Sequence, residues 1–420
     1  MHPSISRRVN NIWHVACVSG RSTFLWDLSM AEVVEINNLE DLEPYRLAWN
    51  ALLHQTPRSS FFHTYHWLEN YWQHFGHDQR LRVLVILANG SLIGIIPLCV
   101  RTERYQVGKV QVLGYPLRDW GTWYGPIGPN QSASLTMALR YLRNQPRDWD
   151  MLDLRWVDPA LSSRVSRAIQ NVGWQSHVGS YQQVSVIQFG NTDWQGYNAA
   201  LSKKWRHEIG RQARVLERNY KVSFERHRPQ GSSCGENDPR WDLFDDCLAI
   251  SERSWQSESK TGNTLCHGNV RHFLSTSHRI ASHLGMLDMA VLKLDNQPVA
   301  FQYNYHYDGQ LYGLRMGFDR SFAREGPGKV LMSRLIEDSF SRGDMSLDLG
   351  IGDFDFKRRF RTSVETSCRT SCYPWTAWRS QGVRLTRWIK NQLGPGGISG
   401  CNSHIKKDGE CRSRTQEITS

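Results

Sequence analysis

Two pairs of apolar runs, each joined by a tight polar turn, constrain this chain more than any other feature. Leu81–Leu87 and Leu92–Val100 flank Ala88-Asn89-Gly90-Ser91, while Leu287–Leu294 and Val299–His306 flank Asp295-Asn296-Gln297-Pro298. Asn-Gly between such runs is a strong hairpin signal, because the favoured two-residue turn needs positive φ at both positions. Each hairpin sits in a similar series of elements. The first series reads as a helix capped by Asn38 and running through Leu39, Leu42, Tyr45 and Trp49, then a helix at His66–Phe75 and the hairpin. It continues with a strand Lys109–Gly114, helix Ser134–Arg143, strand Met151–Arg155, helix Pro159–Val172 and strand Val184–Gln188. The second reads as a basic helix over 198–219, a strand Val222–Arg226, helices Trp241–Ser257 and Val270–Leu284 and the hairpin. A strand Leu311–Arg315, helix Lys329–Phe340 and strand Ser346–Leu349 complete it. Residue identity between the series is slight, so the repeat is one of architecture. It predicts an α/β fold in two domains, 31–190 and 191–378.

A chain of 420 residues has room for two or three domains. Its 17 Trp, 15 Tyr and 15 Phe argue against wholesale disorder. No apolar run approaches the ~20 residues that span a membrane, which argues against an integral membrane protein and leaves peripheral contact open. The 9 Cys are scattered with no C-x-x-C pair, the pattern of reduced thiols in a cytoplasmic protein. A formal charge of +11 suggests an anionic partner without choosing among nucleic acid, a phosphate-bearing cofactor and an anionic surface. Regular patterning begins only after Met30, which makes residues 1–30 an extension outside the fold and Met30 an alternative start. After Trp378 the composition shifts, and 379–420 reads as a disordered basic tail.

Chemistry concentrates in four places. Gly326-Pro327-Gly328-Lys329 opens a helix, where unpaired backbone N–H groups and the dipole favour an anion; Arg324 and Lys329 add charge. It is neither a Walker loop nor G-x-G-x-x-G, and a plain strand-to-helix turn is the alternative. Asp348-Leu349-Gly350-Ile351-Gly352-Asp353-Phe354-Asp355-Phe356-Lys357 joins acids to a glycine-relaxed turn and a lysine. A carboxylate there suits a general base, and Lys357 suits a phosphate or an oxyanion; a solvated, internally paired loop is the alternative. Lys203–Arg228 carries nine cations against three acids and could grip RNA or a phosphorylated substrate, or be a solvated helix face. Arg118-Asp119-Trp120 to Tyr124 suits a sugar or amine, or a packed corner of the core. His54, His63, His66, His74 and His77 match no metal-ligand spacing, so no metal is expected. No G-x-S-x-G elbow is present.

These residues together resemble a known family. They comprise Phe61–Phe75 (FFHTYHWLENYWQHF), Ile95-Ile96-Pro97-Leu98, Leu201-Ser202-Lys203-Lys204 and Trp255. Pro298-Val299-Ala300, Tyr312, Gly317-Phe318-Asp319 and Gly326-Pro327-Gly328 follow, then Asp348-x-Gly-x-Gly-Asp353 and Phe356-Lys357-x-x-Phe360. The set, spanning about 31–378, is similar to the GNAT-superfamily acetyltransferases of the cellulose-biosynthesis (CelD-like) type, related to the FemAB peptidyltransferases. The resemblance implies two tandem GNAT-like modules with mixed central sheets. It also implies transfer of an acetyl or other acyl group from acyl-CoA to an amine or hydroxyl of a sugar, nucleotide sugar or other envelope or exopolysaccharide precursor. It assigns Arg324, Gly326, Gly328 and Lys329 to the CoA pyrophosphate, although Arg324-Glu325-Gly326-Pro327-Gly328 is one residue shorter than the family's [QR]-x-x-G-x-[GA]. It assigns Lys357, Asp353 and Asp348 to catalysis, and Asp119, Trp120, Tyr124 and Arg315 to the acceptor. The alternatives are an aminoacyl transferase using charged tRNA and a non-catalytic binding protein on the same fold.

Overall fold

A computed structural model describes residues 31–118, 120–190 and 192–393. Asp119 and the predicted extension 1–30 lie outside the described residues. Both anticipated hairpins form. β2 (Gln79–Ala88) and β3 (Ser91–Tyr105) turn at Asn89 and Gly90, with φ of 51° and 75°. β8 (Leu287–Leu294) and β9 (Gln297–Tyr307) turn at Asp295 and Asn296, with φ of 50° and 69°. A further turn at Asp308-Gly309, left-handed at both positions, joins β9 to β10 (Gln310–Phe318).

The remaining strands are β1 (Ala31–Ile36), β4 (Gly108–Gly114), β5 (Met151–Val157), β6 (Ser176–Gln188), β7 (Val222–His227), β11 (Ser346–Ile351) and β12 (Ser363–Cys372). All lie in one 12-stranded mixed sheet of order β1-β2-β3-β4-β5-β12-β6-β11-β10-β9-β8-β7. Each half runs antiparallel to its fourth strand, has one parallel pair, β4–β5 or β10–β11, and ends on an antiparallel strand. The final strands are exchanged. β6 leaves the first half to pair with β11, and β12 returns from the second to pair with β5. β6 and β12 then pair along their lengths, from Ser176–Cys372 to Val186–Ser363.

Helices cover both faces, as a sheet buried on two sides requires. α2 (Tyr65–Phe75) of the first half meets α8 (Gly268–His283) of the second: Asn70 Nδ2 donates to the Phe273 carbonyl and to Ser277 Oγ. Phe61, Trp67, Phe273 and Tyr305 join the halves in one aromatic core. α5 (Trp194–Ala200) and α6 (Lys203–Asn219) replace the single anticipated helix over 198–219. Leu201 is extended between them, and the Ser202 hydroxyl caps α6 by accepting from Trp205 N–H. Arg226 and Arg228, read as part of a basic stretch, are not solvated. Arg226 lies on β7 and Arg228 just after it; both pair with Asp288 on β8 and with Asp344 beyond α9 (Pro327–Arg342), and Arg226 also reaches Asp338 within α9.

The anticipated disordered tail needs correction. Residues 378–393 form α11 (Trp378–Leu393), whose Val383 packs against Val110, Val112, Met151 and Tyr373. Only 394–420 of that stretch lies outside the described residues. No described helix is long and apolar enough to cross a membrane.

The Arg226–Asp288 pairing gives the fold a measurable acid limit. Burial alone would raise the Asp288 carboxyl, but Arg226 and Arg228 outweigh it and hold it at about 2. An unfolded aspartate titrates near ~3.9, so this contribution is present above that value and is lost as pH falls toward 2. Urea midpoints measured from pH 5 to 2 are expected to fall, and Asp288→Asn to flatten part of that slope.

Candidate active site

β10 and β11 are paired at three positions only, Gln310–Ser346, Leu311–Leu347 and Tyr312–Asp348, and then diverge. At the divergence β10 carries a bulge between Gly313 and Arg315, and the ladder from β11 to β6 shifts between Asp348 and Ile351. A bulge leaves one residue out of the ladder and re-aims its backbone groups. Here that residue is Leu314. Pairing between the two strands stops there, and the unpaired stretch beyond it, with residues 313–318 of β10 beside 349–351 of β11, is the notch. Its narrow end needs Gly313, since a Cβ there would meet the Asp348 carbonyl oxygen at 2.7 Å. The first half differs at the corresponding strands. β4 pairs with β5 at two positions and ends at Gly114 without a bulge. The loop beyond it folds back as Leu117, Trp120, Trp123 and Tyr124, all buried.

Lys357 lies on the short helix α10 (Asp355–Phe360), 6% exposed. Its Nζ donates to the Ile351 carbonyl at 2.7 Å and sits 5.4 Å from the centre of the Phe354 ring. Burial lowers its pKa to about 8, against the opposing pull of Asp348. Asp348 is buried beside it. Its carboxylate accepts from Gly350 N–H at 2.6 Å, Thr122 Oγ1 at 3.1 Å and Trp123 Nε1 at 3.0 Å. Burial raises its pKa, while these hydrogen bonds and Arg58 oppose the rise. Two of the donors come from the first half, so the site is built across both.

Around that contact three non-glycine residues adopt left-handed backbone: Arg58 (φ 55°), Trp123 (52°) and Trp156 (64°). Such conformations cost about 1–3 kcal/mol each and concentrate at functional sites. The Arg58 guanidinium lies 3.6 Å from the centre of the Trp123 ring and pairs with Asp158 and Glu365. Arg58 and Glu365 were not singled out in the sequence, and Thr122 and Trp123 entered only within the 118–124 stretch, because only the tertiary fold brings Thr122 and Trp123 to Asp348 and Arg58 onto Trp123. A cavity of about 20 Å³ within the first half is lined by Arg58, Trp123, His63, Tyr115, Tyr124 and Gln131, among others. The Tyr115 and Tyr124 hydroxyls and Gln131 Oε1 have no partner there. The space is that of about one water. Burial pushes the His63 imidazole down to about 3, so it is neutral.

The remaining sequence-derived residues separate. Asp353 is half-exposed and paired with Arg358 and Arg361, at 3.2 and 2.6 Å. Trp120 is buried between Phe75 and Phe273, and Tyr124 stacks on His63 with 4.8 Å between ring centres. Arg315 flanks the notch, donates to the Asn263 carbonyl and lies over Trp120. Arg324 is exposed ahead of α9. Gly326 caps α9 with φ 68°, and a Cβ there would meet the Gln212 side chain at 2.4 Å. Gln212 Oε1 and Glu325 Oε2 are buried without partners. Lys329 is paired with Glu208 and lies 5.2 Å from the centre of the Trp205 ring. No described group of three or more His, Cys, Asp or Glu is placed to hold a metal ion.

Residues 203–358 match the family model described as an acetyltransferase (GNAT) domain. This segment, which includes the notch, is an acyltransferase domain. Among solved structures the chain is similar to FemX, with a TM-score of 0.54 at 9% identity, over 84% of this chain and 99% of that one. It is also similar to the C-terminal domain of a protein described as a lysylphosphatidylglycerol synthetase from Agrobacterium fabrum. There the TM-score is 0.50 at 13% identity, over 86% of this chain and 99% of that one. At these identities the likeness is one of fold. No curated protein matches the chain.

The Lys357 environment predicts a pH signature. A lysine at about 8 in the folded state and ~10.4 in the unfolded one binds fewer protons when folded between those values. Stability therefore gains from rising pH across that window. The difference in urea midpoint between the parent and Lys357→Met is expected to move in the parent's favour from pH 8 to 10.

Proposed function

We propose that the protein transfers an acyl group from acyl-CoA to an amine, or a hydroxyl, of a saccharide or related envelope precursor, using the notch between β10 and β11. The observation that carries this reading is the coincidence of three features in the matched domain: diverging parallel strands, the bulge at Leu314, and a glycine turn opening α9. An extended thioester arm would lie along β10 with its phosphates toward the first turn of α9, where the N–H of Gly328 has no intrahelical acceptor.

The acceptor amine attacks the thioester carbonyl, the C–S bond breaks, and the proton lost by the nitrogen is taken up by the departing CoA thiolate, leaving an amide and the free thiol. Lys357 uses one N–H bond on Ile351 and has two further donors for charge developing on the carbonyl oxygen. Asp348, with both oxygens already engaged, acts as a positioning residue. It fixes Thr122 and Trp123 over the notch and keeps Lys357 cationic. Most of the rate enhancement then comes from holding acceptor and thioester together.

A second reading, an aminoacyl group delivered by charged tRNA, has its own support. The turn before α9 is close to neutral: Glu208 takes Lys329, Glu325 lies in the turn itself, and Gln212 packs on Gly326. Meanwhile α6 displays Lys203, Lys204, Arg211 and Arg218. A donor without a pyrophosphate at this turn would need nothing more there.

Thermal unfolding with acetyl-CoA, longer acyl-CoAs and charged tRNA separates the two. A ligand at 100 times its Kd adds about 2.7 kcal/mol. A shift with an acyl-CoA, abolished in Gly328→Glu, is the expected result; a shift with charged tRNA alone would move the donor assignment. With the donor fixed, Lys357→Ala is expected to lower transfer by about 10²-fold or more while the melting curve stays cooperative.

A further inference from the structure

We infer that α11 is a docking element for an anionic lipid surface, a role independent of the donor used in the notch. The helix has two faces. Ser380, Val383 and Arg387 point inward: Val383 is 1% exposed, and Arg387 donates to Ser371 Oγ and Tyr373 Oη and pairs with Asp153. This anchors α11 and fixes which side it presents. On the other side Trp378 (68% exposed), Leu385 (57%), Trp388 (59%) and Ile389 (39%) stand in solvent. At 100° per residue, Trp378, Leu385 and Ile389 fall within about 40° of one another, with Trp388 beside them. Trp375, just before the helix, adds a further ring at 72% exposure.

Cations border this stripe on both sides. Arg379 and Lys390 lie on one flank and Arg384 on the other, and Arg379 and Arg384 stack over Trp378 and Trp375, each at 5.2 Å. A stripe of Trp, Leu and Ile bordered by Lys and Arg is the arrangement of a helix lying in a membrane interface, with rings at headgroup depth and cations on lipid phosphates. Charge complementarity selects this occupant. A second copy would set Arg379, Arg384 and Lys390 against their own kind, on a chain already at +11. Neither residues 1–30 nor 394–420 carry an acidic excess to meet them.

The test is co-sedimentation of the full chain with vesicles of phosphatidylglycerol and phosphatidylcholine, against vesicles of phosphatidylcholine alone. Binding is expected to require phosphatidylglycerol, to weaken with salt, and to fall by more than about tenfold in Trp378→Ser/Leu385→Ser/Trp388→Ser. Arg379→Glu/Arg384→Glu/Lys390→Glu is expected to fall at least as far, since each surface cation near an anionic leaflet is worth roughly a factor of five to ten. Both variants change solvent-facing side chains, so their urea midpoints should match the parent. Absence of binding by the parent, or equal binding by parent and both variants, overturns the proposal. So does a dimer in solution that the serine variant dissociates, which would make the stripe an interface between copies.

Discussion

The antiparallel ladder between β6 and β12 is the constraint on which the rest of this molecule depends. Each strand is the last of one half in sequence and lies in the other half in space. Their pairing turns two six-stranded units into one sheet and fixes how the halves meet. That geometry brings the loop after β4 against β11, so that Thr122 and Trp123 reach Asp348. Without the exchange, the buried carboxylate beside Lys357 would lose two of its three donors.

The two halves have diverged on one architectural plan. In the second, the parallel pair opens around a bulge and leaves a notch. In the first, β4 ends at Gly114 without a bulge, and buried aromatic side chains line small cavities beyond it. The first half has become the roof and the second the floor. The ionic clusters show the same division. Arg226 and Arg228 tie β7 and β8 to the helix that opens with the glycine turn. In the first half, Arg155, Arg369 and Arg387 gather on Asp153 and bind β5, β12 and α11 together.

Much of this was legible in the sequence because it rests on local rules. Asn89-Gly90 and Asp295-Asn296 demand left-handed turns, and apolar runs beside such turns become paired strands. The notch lysine and its acid were legible as a glycine-relaxed segment rich in charge. What escaped was set by distant partners. β12 reads as Ser-Val-Glu-Thr-Ser-Cys-Arg-Thr-Ser-Cys, with no apolar alternation, since its buried Arg369 is held by Asp153 rather than by apolar neighbours. α11 reads as a tail because its apolar residues face outward. Trp120 and Tyr124 could serve equally as a ligand platform or as core, and only the rings of Phe75, Phe273 and His63 around them decide which.

The exchanged strands also set an order on synthesis. β5 and β6 are made long before β12, the strand that must lie between them. Until residue 372 is available, each presents an unpaired edge to its surroundings, the configuration most open to mispairing with another chain. The first half therefore cannot complete its fold while the second is still being made, and closing the sheet is a late event of high sequence separation, slow by its topology. A chain built this way has reason to hold its early strands in solution by charge and by companions until the last one arrives.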